Sequence, residues 1–351
     1  MTRTRSRSQR NAATIKDVAQ HAGVSSMTVS RVINGDGMVR DTTRAKVTEA
    51  IKALNYSPSV AARQLAGGDE LRIALAYANP SAAYLSELLM GCLEQTSRLN
   101  VQLTLERFEP DCAVADVVKH LKRGQVNGII LPTPLCDRED MLSALQDENI
   151  PTVTVAPASN RPDSHCVYID DFEAAKEMTR YLIDTGHRRI GFIKGNPQHG
   201  SSVRRYRGFL AALAEAGMDM DPTLVEQGLY TYRSGLSAAE KLLRLPQRPT
   251  AIFASNDDMA AATIAMAHMM MLHVPFDLSV CGCDDTPLAT TIWPELTTIR
   301  LPIREMAMSA TEMLVEAVRS RKRKSKIQHQ LFDCKLVRRQ SDAPPPSYGR
   351  G

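Results

Sequence analysis

Between residues 14 and 54 the apolar positions form three short stripes at helical spacing. Ile15, Val18, Ala19 and Ala22 stand at i, i+3, i+4 and i+7, which predicts one buried helix face. Thr14 is a suitable N-cap, and Asp17 three residues on completes a capping-box-like pair. Gly23 ends that helix. Ser25 caps a second, whose Val29, Val32 and Ile33 point inward and which ends at Asn34-Gly35. A third begins near Asp41–Thr42 and carries Val47, Ala50, Ile51 and Leu54 at the same spacing. Two short helices joined by a glycine turn make a helix-turn-helix, and three stripes can close a small core. Ser26, Met27 and Arg31 are then left on the outer face of the second helix, 27 and 31 one turn apart.

From Leu71 the pattern changes. "LRIALAYA", "VQLTLERF", "NGIILPTP" and "PTVTVAP" are strand-like, with amphipathic stretches at about 81–98, 111–123 and 137–147 between them. The theme repeats through "RRIGFIKG", "LVEQGLY", "TAIFASND" and "LSVCGCDD". Such alternation predicts parallel sheets with helices on both faces, and its length predicts two sheets. Ligands of such sheets bind beyond the carboxyl ends of the strands. The segments of interest are therefore "YANPSAAY", "GNPQHGSSVRRYRGF", "FASNDDMA" and "VCGCDDTPLA". Their acid, amide and arginine groups could hydrogen-bond a polyhydroxylated neutral molecule, with Tyr230 or Tyr232 as a stacking face. Taken singly, Asp257 and Asp258 could equally cap a helix over 259–272, and Arg204-Arg205 could be a solvated pair.

Charge sharpens this picture. Residues 1–68 carry 11 Lys and Arg against 4 Asp and Glu, net +7, while the rest carries 32 against 35, net −3. A plain three-helix packing module predicts no such bias; a polyanion partner for the head does. In a helix-turn-helix the second helix enters the major groove. There Arg31 can take a guanine or grip a phosphate, Ser26 can donate or accept, and Met27 can touch a thymine methyl.

Other classes find less support. The 351 residues hold no apolar run near the roughly 20 of a membrane span. The basic opening "MTRTRSRSQRNAA" lacks the apolar stretch of a secretory signal, so a cytoplasmic location is expected. Seven scattered cysteines argue against a disulfide framework, and the Cys281-x-Cys283 pair has no second ligand pair. No metal or cofactor is expected. An enzyme on the α/β body is the rival class, but no G-x-S-x-G, G-x-x-x-x-G-K-S/T or G-x-G-x-x-G stands at a strand–helix junction, and no catalytic residue is assigned.

The stretch "NYSPSVAARQLAGG" predicts a short helix, with Ser57 as cap, Pro58 at N1 and Gly67-Gly68 as terminator. About nine residues are marginal alone in water, so it would fold with a partner copy or on DNA. Leu65 has no obvious core to join and could wedge between base steps in the minor groove. A disordered linker over 57–68 is the alternative.

"TIKDVAQHAGVSSMTVSRVING" followed by "RAKVTEAIKALNYSPSVAARQLAGG" resembles the head and hinge of the lactose-repressor (LacI/GalR) family. By that resemblance Ser26, Met27 and Arg31 sit at base-reading positions, and Ser25, Thr28, Ser30 and Asn34 at phosphate-contacting or supporting ones. Thr14 joins the DNA-binding set. Tyr56 and Ser59 fall where the family meets the backbone near the hinge, and Ala62 and Leu65 at minor-groove positions, with Leu65 as the intercalating lever.

The resemblance runs on more loosely across most of 71–340, where "TGHRRIGFIKG", "SND" and "CDDTPLATTIWPELTTI" are similar to family landmarks. It implies a periplasmic-binding-protein-like core of two parallel-sheet subdomains joined by three crossover strands. Arg205, before "YRGF", matches the effector-binding arginine, Asn256 the pocket asparagine and Asp284 the pocket aspartate. Tyr230 falls where an aromatic stacks on the ligand, while Asp170 and the Asn79–Tyr84 loop line the other wall. Cys283 stands where many relatives carry an aromatic, and His187 reads as structural.

The expected organisation is a basic disordered arm (1–13), an all-α helix-turn-helix head (14–56), a hinge helix and linker (57–68), an α/β core (71–340) and a disordered tail (341–351). Within the core, one subdomain takes about 71–169 and 300–328, the other about 170–299 and 329–340. The Pro/Gly-rich tail "SDAPPPSYGRG" lacks heptads, so a dimer is expected without a tetramerisation helix. The implied function is a regulator, expected to be a repressor, that binds palindromic double-stranded operator DNA as a homodimer. Its expected effector is a small carbohydrate, a mono- or disaccharide; a nucleobase or nucleoside corepressor is the alternative.

Overall fold

The computed structural model describes residues 13–33, 39–54, 56, 71–78, 81–109, 111–159, 161–320 and 326–346. They fall into two units, divided between Leu71 and Arg72.

The first unit holds α1 (Ile15–Ala22), α2 (Ser26–Ile33) and α3 (Asp41–Ala53). Thr14 and Asp17 form the reciprocal capping box: the Thr14 hydroxyl accepts from the Asp17 amide, and the Asp17 carboxylate accepts from the Thr14 amide at 2.7 Å. Gly23 closes α1 at φ +67°, a left-handed conformation that costs glycine little. The Ser25 hydroxyl accepts from the Thr28 amide at 3.1 Å and so caps α2. Val18, Ala19, Val29, Val47, Ala50 and Tyr56 are buried together, with Ile15, Val32, Ile33, Ile51 and Leu54 packed at the edge of the cluster. The three stripes read from the sequence face one another.

The second unit contains two six-stranded sheets. The first comprises β1 (Arg72–Tyr77), β2 (Gln102–Arg107), β3 (Gly128–Pro132), β4 (Thr152–Val155), β5 (His165–Ile169) and β11 (His329–Phe332), in the order β11-β5-β4-β3-β1-β2. All its neighbours are parallel. The second comprises β6 (Ile190–Lys194), β7 (Val225–Gln227), β8 (Ala251–Ala254), β9 (Ser279–Asp284), β10 (Thr297–Arg300) and β12 (Lys335–Val337), in the order β12-β10-β9-β8-β6-β7. Only β12 runs antiparallel, against β10. Central strands such as β3, β8 and β9 are buried along their whole length, because helices cover both faces. On the first sheet these are α4 (Ala82–Leu99), α5 (Val114–Arg123), α6 (Glu139–Asp147) and α12 (Ile303–Arg319). On the second they are α7 (Asp171–Asp184), α8 (Gly200–Glu215), α9 (Tyr232–Leu243) and α10 (Asp257–Met269), with a short α11 (Leu288–Thr291). No helix among the described residues is long and apolar enough to cross a membrane.

The chain passes between the sheets three times, after β5, after β10 and between β11 and β12. Two expected boundaries are corrected here. Residues 329–332, assigned from sequence to the second subdomain, pair with β5 in the first sheet, so the last crossing lies at Asp333-Cys334. The core does not stop at 340. Ser341 is fully buried and its hydroxyl donates to the Val280 carbonyl at 2.6 Å, while Asp342 accepts from Tyr181 and Thr297. His187 bridges Thr250 Oγ1 (2.9 Å) and the Ala343 carbonyl (3.0 Å), a structural use of the ring. A Pro-rich composition suggested disorder, but these residues are held because their polar atoms complete the edges of β9 and β10.

Candidate functional site

In the head, α2 presents two surfaces. Val29 is buried, while Met27 is 68% exposed and Arg31 is exposed on the opposite side. Ser25 is exposed; Ser26, Thr28 and Ser30 are half-buried around them. Met27, with two-thirds of its surface in water at the helix start, is not part of the packed core of this unit. Thr14 is exposed at the α1 cap. Tyr56 is buried in the head core, in one cluster with Val47 and Ala50. Asn34, Ser59, Ala62 and Leu65 lie outside the described residues.

In the second unit, the carboxyl ends of the strands meet in a cleft between the two sheets. Arg205, on the first turns of α8, is buried at its centre. Its Nε donates to Asp171 Oδ1 at 2.7 Å, its Nη1 to the Ser255 carbonyl at 2.5 Å, and Asp284 Oδ1 lies 3.5 Å from Nη1. Burial works against the guanidinium charge, but the acidic groups around it, Asp171 and Asp284 among them, hold it protonated. Asp284 sits at the end of β9 with φ +128°, followed by Asp285 at φ +56°; this strained turn swings its carboxyl into the cleft. Burial raises the Asp284 carboxyl, and the Arg205 charge opposes that rise.

Tyr230, at φ +62°, lies in the cleft with its ring against the backbone of Gly195, where any Cβ would overlap it. Its hydroxyl is 3.2 Å from Ser201 Oγ, and burial pushes its ionisation up to about 12. Tyr84 is buried on the opposite wall, in the first turn of α4. Asn256 lines the cleft but also caps α10, its Oδ1 accepting from the Met259 amide at 3.0 Å. The cap is thus one residue earlier than the aspartates read as candidates. Asp257 instead accepts from Thr286 and Thr298 beneath the cleft, and Asp258 from Ser81.

Arg205, Tyr230, Asn256, Asp284 and Tyr84 are therefore brought together as expected, and Asn79 lies outside the described residues. Asp170 is corrected. It caps α7, accepting from the Phe172 and Glu173 amides, and pairs at the surface with Arg204. The next residue, Asp171, turns inward to Arg205, because β5 ends at Ile169 and the helix begins one residue after the cap.

Four polar contributors escaped the sequence reading: Thr133, Asp171, His199 and Ser201. His199 and Ser201 belong to the segment singled out after β6, but nothing local marked which side chains turn inward. His199 is almost fully buried, its ring 5.2 Å from that of Tyr230. Burial, then the Arg205 charge, pushes its ionisation down to about 4, so the imidazole is neutral. Among the described residues its Nδ1 has no hydrogen-bond partner, and neither has Thr133 Oγ1. Both residues line the cleft, one from each subdomain, around a cavity of about 30 Å³. Two roomier hollows, of about 270 and 1050 Å³, lie wholly on the first subdomain.

A helix-turn-helix head and a two-sheet cleft of this build define a DNA-binding protein with a periplasmic-binding-protein-like core. Residues 14–59 match the family described as bacterial regulatory proteins, lacI family, and residues 179–341 match the periplasmic binding protein-like domain. The chain is 37% identical to the HTH-type transcriptional repressor PurR of Photorhabdus laumondii, over 87% of this chain and 90% of that one. A lac repressor dimer bound to operator and the anti-inducer ONPF superposes with a TM-score of 0.79 at 27% identity, covering 95% of this chain and 100% of that one. A CelR–cellobiose complex superposes at 0.70 and 29%, covering 94% and 99%. The chain belongs to the lacI family of DNA-binding transcriptional regulators.

Proposed function

We propose that the protein is a homodimeric repressor whose hold on a palindromic operator is set by a small uncharged carbohydrate in the cleft between its subdomains. The observation that carries the effector reading is a pair of buried atoms without a hydrogen-bond partner among the described residues, Thr133 Oγ1 and His199 Nδ1, offered from opposite walls of one cleft. Buried polar atoms without partners are costly, and a ligand rich in hydroxyls would satisfy both. Arg205 is the one cationic side chain lining the cleft among the described residues, and Asp171 and Asp284 already flank it. A phosphorylated or carboxylated ligand would find no free positive charge; a neutral sugar needs none. Tyr230 and His199 offer ring faces for the apolar side of a pyranose. The cellobiose bound by the similar CelR protein supports this class.

A mono- or disaccharide exceeds a cavity of about 30 Å³, so binding requires the cleft to open and close again. That movement would alter how the first subdomains meet in the dimer, and through residues 57–68 how the heads engage the operator. A coupling of roughly 1–3 kcal/mol would change operator affinity about 5- to 150-fold. The lac repressor dimer on its operator supports the dimer and the DNA partner. The three rings that line the cleft, Tyr84, His199 and Tyr230, favour a second reading, a nucleobase or nucleoside corepressor. Titrating the operator complex with a panel of sugars and of purines decides between them. Release or tightening by sugars alone supports the first reading, by purines alone the second.

A further inference from the structure

The two subdomains touch at the rim of the cleft in a way that depends on the smallest residue. Gly200 is the first residue of α8 and belongs to the second subdomain; Asp137 and Ala158 follow β3 and β4 of the first. A Cβ built on Gly200 would stand 2.1 Å from the Ala158 Cβ, 2.7 Å from its Cα and 3.1 Å from Asp137 Oδ2. The backbones therefore approach to a distance that no side chain at 200 permits. Asp137 fastens the contact from the first subdomain. Its Oδ1 accepts from the Ala158 amide at 2.6 Å and its Oδ2 from the Gly200 amide at 3.3 Å. The Gly200 amide belongs to the opening turn of α8, where a carboxylate is favoured by the unpaired amides and the helix dipole. At another point of the rim, Ser81 Oγ donates to Asp258 Oδ2 at 2.6 Å, again from the first subdomain to the second.

We infer that Gly200, Ala158 and Asp137 form the closure latch of the cleft: a contact made only when the subdomains are shut, with Asp137 as its positioning residue. Each fold is complete without it. The Asp137 carboxylate keeps the Ala158 amide in either arrangement, whereas the Gly200 amide and the Gly200–Ala158 approach exist only when the rims meet. Residue 200 then sets how far the cleft can close, and the latch sets how readily it opens. Its consequence for effector binding rests on the proposed function; the latch itself does not.

The test uses the full chain without added ligand. Hydrogen exchange over residues 198–202 and small-angle scattering are compared for the wild type, Gly200→Ala, Asp137→Asn and the double variant Gly200→Ala/Ala158→Gly. Both single variants are expected to accelerate exchange at the Gly200 amide about tenfold or more, the effect of losing a bond to a charged acceptor. They are also expected to increase the radius of gyration, while amides inside β3 and β8 keep their wild-type rates. Removing the Ala158 methyl should recover part of the protection lost in Gly200→Ala, which general damage to the fold would not allow. Unchanged exchange and dimensions in Gly200→Ala would overturn the latch, and so would acceleration spread through both sheets. If the latch behaves as described but neither sugars nor purines alter operator binding, the effector reading fails and the latch stands.

Discussion

Arg205 and Asp171 are joined by a 2.7 Å bond between two side chains that water scarcely reaches, and Asp284 stands on the other side of the same guanidinium. The two carboxylates come from different helix and strand ends, so one cation ties the start of α7 to the end of β9. A buried pair of this kind is fragile to half-removal, because the remaining charge loses its partner but stays out of water.

Arg205→Ala should accordingly destabilise the core by about 3–5 kcal/mol, measured by urea unfolding. Where the folded variant is populated, its response to the effector should be lost while operator binding persists. An unchanged unfolding midpoint would show that the pair is not structural. A retained ligand response in a thermal-shift assay would move the pocket elsewhere.

The pH dependence has two opposing parts. His199 is pushed down to about 4 by burial and then by Arg205, against 6.5 for a free histidine. The unfolded chain thus binds more protons between those values, and this group's contribution of about 3 kcal/mol is present above pH 6.5 and lost as pH falls to 4. Asp257 is pushed up to about 7 by burial, its bonds from Thr298 and Thr286 opposing the rise. Here the folded state binds the extra proton, so stability falls as pH rises from about 4 to 7. Between pH 4 and 6.5, stability should fall more steeply with rising pH in His199→Gln than in the wild type, and less steeply in Asp257→Asn; parallel profiles for all three proteins would refute both assignments.

On the recognition helix, Met27→Ala and Arg31→Ala should leave the melting temperature of the head within a degree or two, since both side chains are exposed. Each should weaken specific operator binding, Arg31→Ala by about 1–3 kcal/mol if it reads a base. A salt dependence reduced by about one ion with no change in sequence preference would instead assign Arg31 to a phosphate.

Leu65→Ala tests the hinge. Operator affinity should fall in a gel-shift titration while effector binding is retained. Equal operator affinity would remove the minor-groove lever from the mechanism.

Much of the fold was legible because it is written in neighbours. The Thr14–Asp17 box, the Gly23 stop and the Val29 face involve residues no more than four apart, and the strands β1 to β4 announce themselves as apolar runs. β5, β10, β11 and β12 did not, being short and partly polar, and residues 329–332 were placed in the wrong subdomain because a strand's partner is not encoded in its own sequence. The cleft was half legible. Arg205, Tyr230, Asn256 and Asp284 came with recognisable surroundings, whereas Asp170 and Asp171 are adjacent acids that differ only in which side of the helix start they occupy.

The sequence alone determined the helix-turn-helix, its charged outer face and the alternation that makes two parallel sheets, since periodicity and caps act over a single turn or strand. Only the tertiary structure decided that Asp171 rather than Asp170 meets Arg205, that residues 341–343 complete a sheet edge, and that Thr133 and His199 face one cavity without partners among the described residues. Those outcomes depend on which chain segments, often more than 60 residues apart, are pressed together by burial, and burial is a property of the packed whole.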